Sequence, residues 1–374
     1  MAAFDGTNGP ILKLQFLKSG TWTNVTTTDV RSIKTKRGRS RPDQQNDPGQ
    51  AVIVLDNRTG IYDPDYTAAS TWVVSGVSIL KAGLQMRIIW TWSGVDYVWY
   101  VGYLETTDLD SGFDATATMT FVDGLSLLAN VQAPALATPS FSETTATRVG
   151  RMLTYAGWTG SSSLTGSVVL LPTSQDAPVL QMIEECINAE AGRFYISCDG
   201  VATFVPLSNK FSRVTRLLLS DSRATNTVEY DSIKTTPGTY QVINQAVINR
   251  PSKIQYTSKY TPSVNTYGLK SKTYTAPVNS NTTASNLAAY YSRVWATPTT
   301  LVEQIGFDSF ALGALYPDFL ALEIGDQITV ERTTVDGRSL TYYLVVEGFT
   351  HDITDSKWRT EIQTSTMNPY TITL

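Results

Sequence analysis

The chain has one histidine and two cysteines in 374 residues, and charged residues make up only 17% of it. Each scarcity excludes something. With a single histidine, a Ser-His-Asp triad or a histidine-based metal site would have to be built on His351. Two cysteines, Cys186 and Cys198, are too few for a disulfide scaffold in a chain of this length. Both are expected to pack as small apolar residues. No apolar run reaches the length of a transmembrane helix, and residues 1–17 lack the basic-then-apolar pattern of a signal peptide. The expectation is a soluble chain made in a cytoplasm. His-Glu-x-x-His, Gly-x-Ser-x-Gly, the P-loop and Cys-x-x-Cys are all missing, so no cofactor and no metal are expected. Lys and Arg number 29 against 33 Asp and Glu, a net charge of −4. That argues against a general DNA-binding protein, whose affinity comes from counterion release by Lys and Arg.

What is abundant points to strands. Thr and Ser, with 19 Tyr and 8 Trp, take the place that charge usually fills. β-Branched and aromatic side chains suit a half-buried pleated surface. Residues 11–17 (ILKLQFL) alternate as a strand should, and 22–25, 30–35, 51–55, 84–92, 95–103 and 115–122 continue the pattern. Ser93-Gly94 splits residues 88–103 into an aromatic hairpin. Residues 1–128 are therefore expected to form a β-barrel-like or sandwich domain.

Residues 129–140, rich in Ala and Pro, predict a linker. Residues 144–158 predict a helix stopped at Gly157. Residues 176–191 predict a second, with Asp176 as its cap, Pro178 in its first turn and Gly192 past its end. Its Glu184, Glu185 and Glu190 are expected to form a solvated face. The Asp199-Gly200 hairpin completes a small α/β domain over residues 129–215. From residue 216 strands return at 228–235, 241–249, 253–259, 304–311, 327–332, 340–347, 348–353 and 358–366. A helix over 280–294 is assigned to the second barrel, within a C-terminal β-rich domain spanning 216–374. The fold class expected is mainly β with an α+β insert: two β-barrel or sandwich-like hub domains plus a small α/β domain.

Candidate chemistry is thin. His351 and Asp352 are neighbours on a strand and point to opposite faces, so they do not form a dyad. His351 is expected to bond backbone at a strand end. Asp63 with Asp65, and Asp108 with Asp110, would be the carboxylate pairs of a glycan hydrolase, but their i, i+2 spacing in turn-like sequence suits turn formation. Asp56, Asp63 and Asp65 would offer oxygens to Ca²⁺, without the EF-hand spacing. Trp90, Trp92, Trp99, Tyr97, Tyr100 and Tyr103 fit either core and interface packing or a sugar-stacking platform. No catalytic, cofactor-binding or metal residue is assigned. Lys36, Arg37, Arg39 and Arg41 form a basic segment, expected to be a solvated loop or a subunit contact. It leads through Asp47-Pro48-Gly49 into residues 51–55, ending at Asp56-Asn57 before the Asp63-Pro64-Asp65 turn.

That order resembles the hub and minor tail proteins at the tail tips of long-tailed bacteriophages. They show a basic Arg-Gly-Arg segment, a Pro-Gly, a strand ending in Asp-Asn and an aromatic Asp-Pro turn. A middle helix, Gly and aromatic strand correspond to residues 176–206. A Gly-Asp, Val-Glu-Gly, His and Trp series corresponds to Gly325-Asp326, Val346-Glu347-Gly348, His351 and Trp358. The resemblance covers residues 28–366. It implies a structural virion protein, not an enzyme. Two related barrels per subunit would close as a trimer, adapting the sixfold tail tube to a threefold tip. It implies a virion tail-tip location after assembly in the host cytoplasm, and no membrane span. The implied partners are copies of itself, the distal tail protein or tail tube, the tape-measure protein and the tail fibre or spike proteins, with phage DNA in transient passage. The other readings are a tail-associated carbohydrate-binding or glycan-degrading protein, and a sixfold distal tail protein.

Overall fold

The computed structural model describes Phe4 and residues 9–40, 46–136, 141–174, 176–207, 215–222, 224–237, 242–251, 253–298, 300–310 and 312–367. The fold is mainly β, with several antiparallel sheets and a few helices. Among the described residues no helix is long and apolar enough to cross a membrane.

The N-terminal strands form one antiparallel run in the spatial order Val30–Gly38, Asp47–Asp56, Thr116–Val122, Val95–Leu109, Gln85–Trp92, Ile11–Lys18 and Thr21–Asn24. Period-two alternation decides which side of each strand is buried. Leu12, Leu14 and Phe16 point inward from the first strand. Ala51, Ile53 and Leu55 do so from Asp47–Asp56, opposite Phe121, Met119 and Ala117. Large faces small at both ends of that ladder, so the pairs fill the space without a void.

The C-terminal run comprises Thr215–Ser220, Val228–Glu229, Ser232–Pro237, Thr300–Asp308, Gln327–Thr333, Ser339–Thr354 and Trp358–Thr366. The two strands expected at 340–347 and 348–353 are one 16-residue strand with a bulge between Val346 and Gly348. This strand is the hinge pin of the molecule. It pairs with Gln327–Thr333 and Trp358–Thr366 in its own run, and its second half pairs antiparallel with Val30–Gly38. The two runs are thereby one continuous 14-stranded sheet. One hydrophobic core spans both, centred on Trp90 and Trp358, stacked 4.4 Å apart.

A second core lies apart from the first. It holds helices Thr145–Tyr155 and Val179–Glu190 together with strands Arg193–Ile196 and Ala202–Val205. Helix Asn281–Val294 was assigned from sequence to the second barrel. Its Leu287, Ala288, Tyr290 and Tyr291 are buried in this second core, beside strands Gln245–Asn249 and Ser271–Thr275. Apolar spacing finds the helix and its buried face, but the choice of sheet is set by long-range packing.

Other local readings change as well. The helix expected from Asp176 begins at Val179, and Pro178 before it makes no side-chain cap. Glu190, expected in solvent, is 2% exposed. It accepts the Thr145 hydroxyl at 2.5 Å and the Ser167 and Val168 N–H groups at 2.6 and 2.7 Å. Asp47-Pro48-Gly49 is not a turn ahead of a strand but its first residues, at a bulge against Lys36–Gly38. The linker pairs through Gln132–Ala133 with Ala177–Pro178; its residues 137–140 lie outside those described. Cys186 and Cys198 are both free thiols.

Candidate functional site

The basic segment Lys36–Arg41 is not a solvated loop. Lys36 to Gly38 belong to strand Val30–Gly38, and Arg37 and Arg39 are 8% and 9% exposed; Arg41 lies outside the described residues. Alternation along the strand carries Arg37 to the side where the second core abuts the sheet. Its Nη2 donates to Glu323 Oε1 at 2.8 Å and to the Ile196 carbonyl at 3.0 Å. Glu323 Oε2 in turn accepts the Cys198 N–H at 2.6 Å. Burial works against the Arg37 charge, yet Glu323, Cys198 and Asp123 together outweigh it and raise the guanidinium pKa above its ordinary value.

Two residues on, Arg39 Nε donates to Glu347 Oε2 at 2.7 Å. The Glu347 carboxylate is fully buried. It also accepts from Arg193 Nη2, at 2.9 and 3.0 Å from the two oxygens, and from Ser365 Oγ at 2.6 Å. Arg193 Nη1 also reaches the Val346 carbonyl at 3.2 Å. Buried ions cost several kcal/mol each unless their hydrogen-bonding sites are filled, and here most of them are filled, from three parts of the chain. Arg37 and Arg39 come from the N-terminal run, Arg193 and Cys198 from the second core, and Glu323, Glu347 and Ser365 from the C-terminal run.

Glycine permits the close approach. Gly38 pairs with Gly348. A Cβ on Gly38, at φ +85°, would lie 2.2 Å from the Glu347 carbonyl oxygen, and a Cβ on Gly348 would lie 2.6 Å from the Arg37 carbonyl oxygen. At the same junction Asp123 packs on Gly49 and accepts the Leu125 N–H at 2.9 Å. Burial pushes its carboxyl up to about 7, against the pull of backbone N–H groups and Arg37. Tyr100 donates to the Gly49 and Phe121 carbonyls.

The other sequence candidates are not brought together. His351 lies in the core, its Nδ1 2.9 Å from Thr360 Oγ1 and its ring 4.1 Å from that of Trp99. Its partner is thus a side-chain hydroxyl, not the backbone. Burial, with Arg37 nearby, lowers its pKa to about 3. The ring is neutral near pH 7 and acts as packing. Asp63 accepts the Asp65 N–H at 2.7 Å and Asp110 the Ser111 N–H at 2.9 Å. These carboxylates hold their own turns. Asp56 is taken by Arg58 at 2.6 Å and Arg31 at 3.2 Å, which hold it down at about 2. Among the described residues no three or more His, Cys, Asp or Glu cluster as a metal site. Of the aromatic hairpin, Trp90, Trp99 and Tyr100 are buried and Trp92 rests on Tyr316 at 4.7 Å. Trp92 and Tyr97 pack half-buried against the core and Tyr103 is half-buried, so three of the six aromatics are in the core and three at its margin. Sequence reasoning missed Glu323 and Glu347 as the anions that neutralise the arginines. The Arg-x-Arg spacing, which put two cations on one face of a strand, was the available signal.

No protein-family model matches the chain, and no curated protein matches it in sequence. Solved structures do match in shape. The tail protein from Neisseria meningitidis MC58 superposes with a TM-score of 0.64 at 11% identity, covering 96% of each chain. The 43 kDa tail protein of prophage MuSo2 from Shewanella oneidensis gives 0.62 at 9% identity, covering 95% of this chain and 98% of that one. The E. coli c3393 protein, a type VI secretion system component described as similar to the T4 tail proteins gp27 and gp5, gives 0.52 at 9% identity over 96% of this chain and 77% of that one. This chain therefore has, over nearly its whole length, the fold of these solved tail proteins.

Proposed function

We propose that the chain is a structural protein of a phage tail, a baseplate hub that closes a ring at the tail tip. The observation that carries the reading is the joining of two β runs, edge to edge, in a chain that follows solved tail proteins from end to end. Two β units per chain allow three copies to present six similar units. Such a ring meets a sixfold tube on one side and a threefold tip on the other. In this reading the distal tail protein or tube binds above and the fibre or spike proteins below. The lumen holds the end of the tape-measure protein and later passes DNA. A lumen free of strong positive charge avoids stalling DNA by phosphate binding, and the three junction arginines are buried and paired with Glu323 and Glu347. The product is a closed assembly, and no catalytic step is needed. Electron-microscopy class averages of the purified chain and of intact tail tips test it. A threefold ring with a central hole supports the hub. A sixfold ring moves the chain to the distal tail or tube, and a monomer that binds glycans overturns the reading.

A further inference from the structure

A cleft of about 550 Å³ opens between helix Val179–Glu190 and the paired elements Ser271–Thr275 and Asn281–Val294. Its size is that of an ordinary ligand site, and neither the hub reading nor the junction uses it. Gln181, Glu184, Glu185 and Asn188 recur at i, i+3, i+4 and i+7, so one face of the helix forms a wall. Glu184 and Glu185 are half-buried there, and among the described residues neither has a hydrogen bond or an ion pair. A half-buried carboxylate without a partner is unfavourable, and burial pushes the Glu185 carboxyl up against the pull of the Arg148 charge, with Glu184 adding to the rise. The opposite wall is aromatic: Tyr274 and Tyr291 stack with centroids 3.9 Å apart.

Arg148, whose charge reaches Glu185, is itself ion-paired to Glu143, and the other cations present do not answer these carboxylates. Arg39 and Arg193, at the floor, are committed to Glu347. Lys272 lies over the Tyr274 ring at 5.3 Å, with no ion pair to either glutamate. The cleft thus holds one cation on an aromatic face and has two carboxylates waiting across from it. Carboxylates facing tyrosine rings favour a desolvated cation.

We propose that this cleft receives a lysine or arginine side chain carried on an extended segment of a neighbouring tail protein. The partner's origin rests on the hub reading; the chemistry of the cleft does not. Glu184 and Glu185 supply the countercharge, and the Tyr274 face that Lys272 now covers supplies the cation–π contact once that resident competitor is displaced.

The test is calorimetric titration of the full chain with acetyl-Gly-Arg-Gly-amide, against acetyl-Gly-Glu-Gly-amide as control, at low and moderate salt. Expected is saturable binding of the cationic peptide, one per chain, weakening with salt. Glu184→Gln with Glu185→Gln lowers its affinity about tenfold, and Lys272→Ala raises it. The glutamine variants lose no existing bond, so an unchanged melting temperature verifies their folding. Absence of saturable binding, equal binding of the acidic peptide, or indifference to the double variant overturns the proposal. Because the isolated chain is titrated, failure here is separate from failure to form a threefold ring.

Discussion

Gly38→Ala tests the junction directly, because Gly337 supplies a control at almost the same dihedral. Gly38 has φ +85° and Gly337 φ +81°. Alanine at either site incurs the left-handed strain, about 1–2 kcal/mol. Around Gly337 a Cβ would meet nothing within 4 Å, whereas at Gly38 it would meet the Glu347 carbonyl oxygen at 2.2 Å and the Gly348 Cα at 2.6 Å. Both obstacles are backbone and cannot swing aside. Restoring ordinary contact from 2.2 Å to 3.4 Å means parting the strands by about 1.2 Å. That breaks the Arg39 N–H to Glu347 carbonyl bond, now 3.0 Å, and loosens the Arg39–Glu347 pair beside it. Overpacking adds about 1–3 kcal/mol and the lost backbone bond about 1 kcal/mol. The expected cost is about 4 kcal/mol for Gly38→Ala and about 1.5 kcal/mol for Gly337→Ala. Urea unfolding of the two variants reads the difference. Equal midpoints for the two would refute the close approach as the reason for glycine at position 38.

Glu347→Ala leaves the Arg39 and Arg193 guanidiniums buried without their anion. It is expected to destabilise by about 3–5 kcal/mol, while the triple replacement Arg39→Met, Arg193→Met, Glu347→Leu recovers most of that loss in the same urea assay. If the single and triple variants unfold together, the ionic account of the junction fails. Glu190→Ala strands the Ser167 and Val168 N–H groups and the Thr145 hydroxyl, and a loss of about 2–4 kcal/mol is expected. A thermal midpoint within 1 °C of the parent would show that Glu190 is replaceable by water.

Much of the fold was legible because the signals are local. Alternation marked the strands 11–17, 51–55 and 115–122, and Ser93-Gly94 marked the turn of the aromatic hairpin. Of the helix period at 179, 180, 183, 186 and 187, Val179, Ile183 and Cys186 are buried and Leu180 and Ile187 are half-buried against the second core. The same period put Glu190 on the line of the core, but its charge argued for solvent. Three hydrogen bonds from segments far away in sequence reversed that argument. The basic segment failed for the same reason. Arg37 meets Glu323 and Arg39 meets Glu347 across roughly three hundred residues, and no local pattern announces an anion at that distance. Helix Asn281–Val294 shows the remaining limit: its apolar face says that it packs, not against what. The pieces that carry the family resemblance do converge in space. Arg37-Gly38-Arg39, Pro48-Gly49, Glu323 beside Gly325-Asp326, and Glu347-Gly348 all stand at or beside the meeting of the two β runs. Each is demanded there by φ, by backbone proximity or by buried charge, rather than by catalysis.

Two buried groups near this junction set opposing dependences on pH, and separating them is a sharp test of the packing. Asp123 has its pKa raised to about 7, so its contribution is fully present below the unfolded value near 4 and is lost as pH rises through about 7. His351 has its pKa lowered to about 3. Its contribution is present above the unfolded value near 6.5 and is lost as pH falls toward 3. Each shift corresponds to about 4 kcal/mol at full extent. Between about pH 4 and 6.5 the two slopes oppose each other and largely cancel. Asp123→Asn removes one of them, keeps a cap for the Leu125 N–H, and is expected to lose stability steadily on acidification from pH 6.5 to 4. His351→Asn removes the other, keeps a partner for Thr360, and is expected to lose stability as pH rises over the same interval, whatever its absolute stability. Urea midpoints at half-unit pH steps give both slopes. Parallel slopes in the two variants would mean that neither group is buried as described, since solvent access to either would return its pKa to the ordinary range and erase its share of the effect.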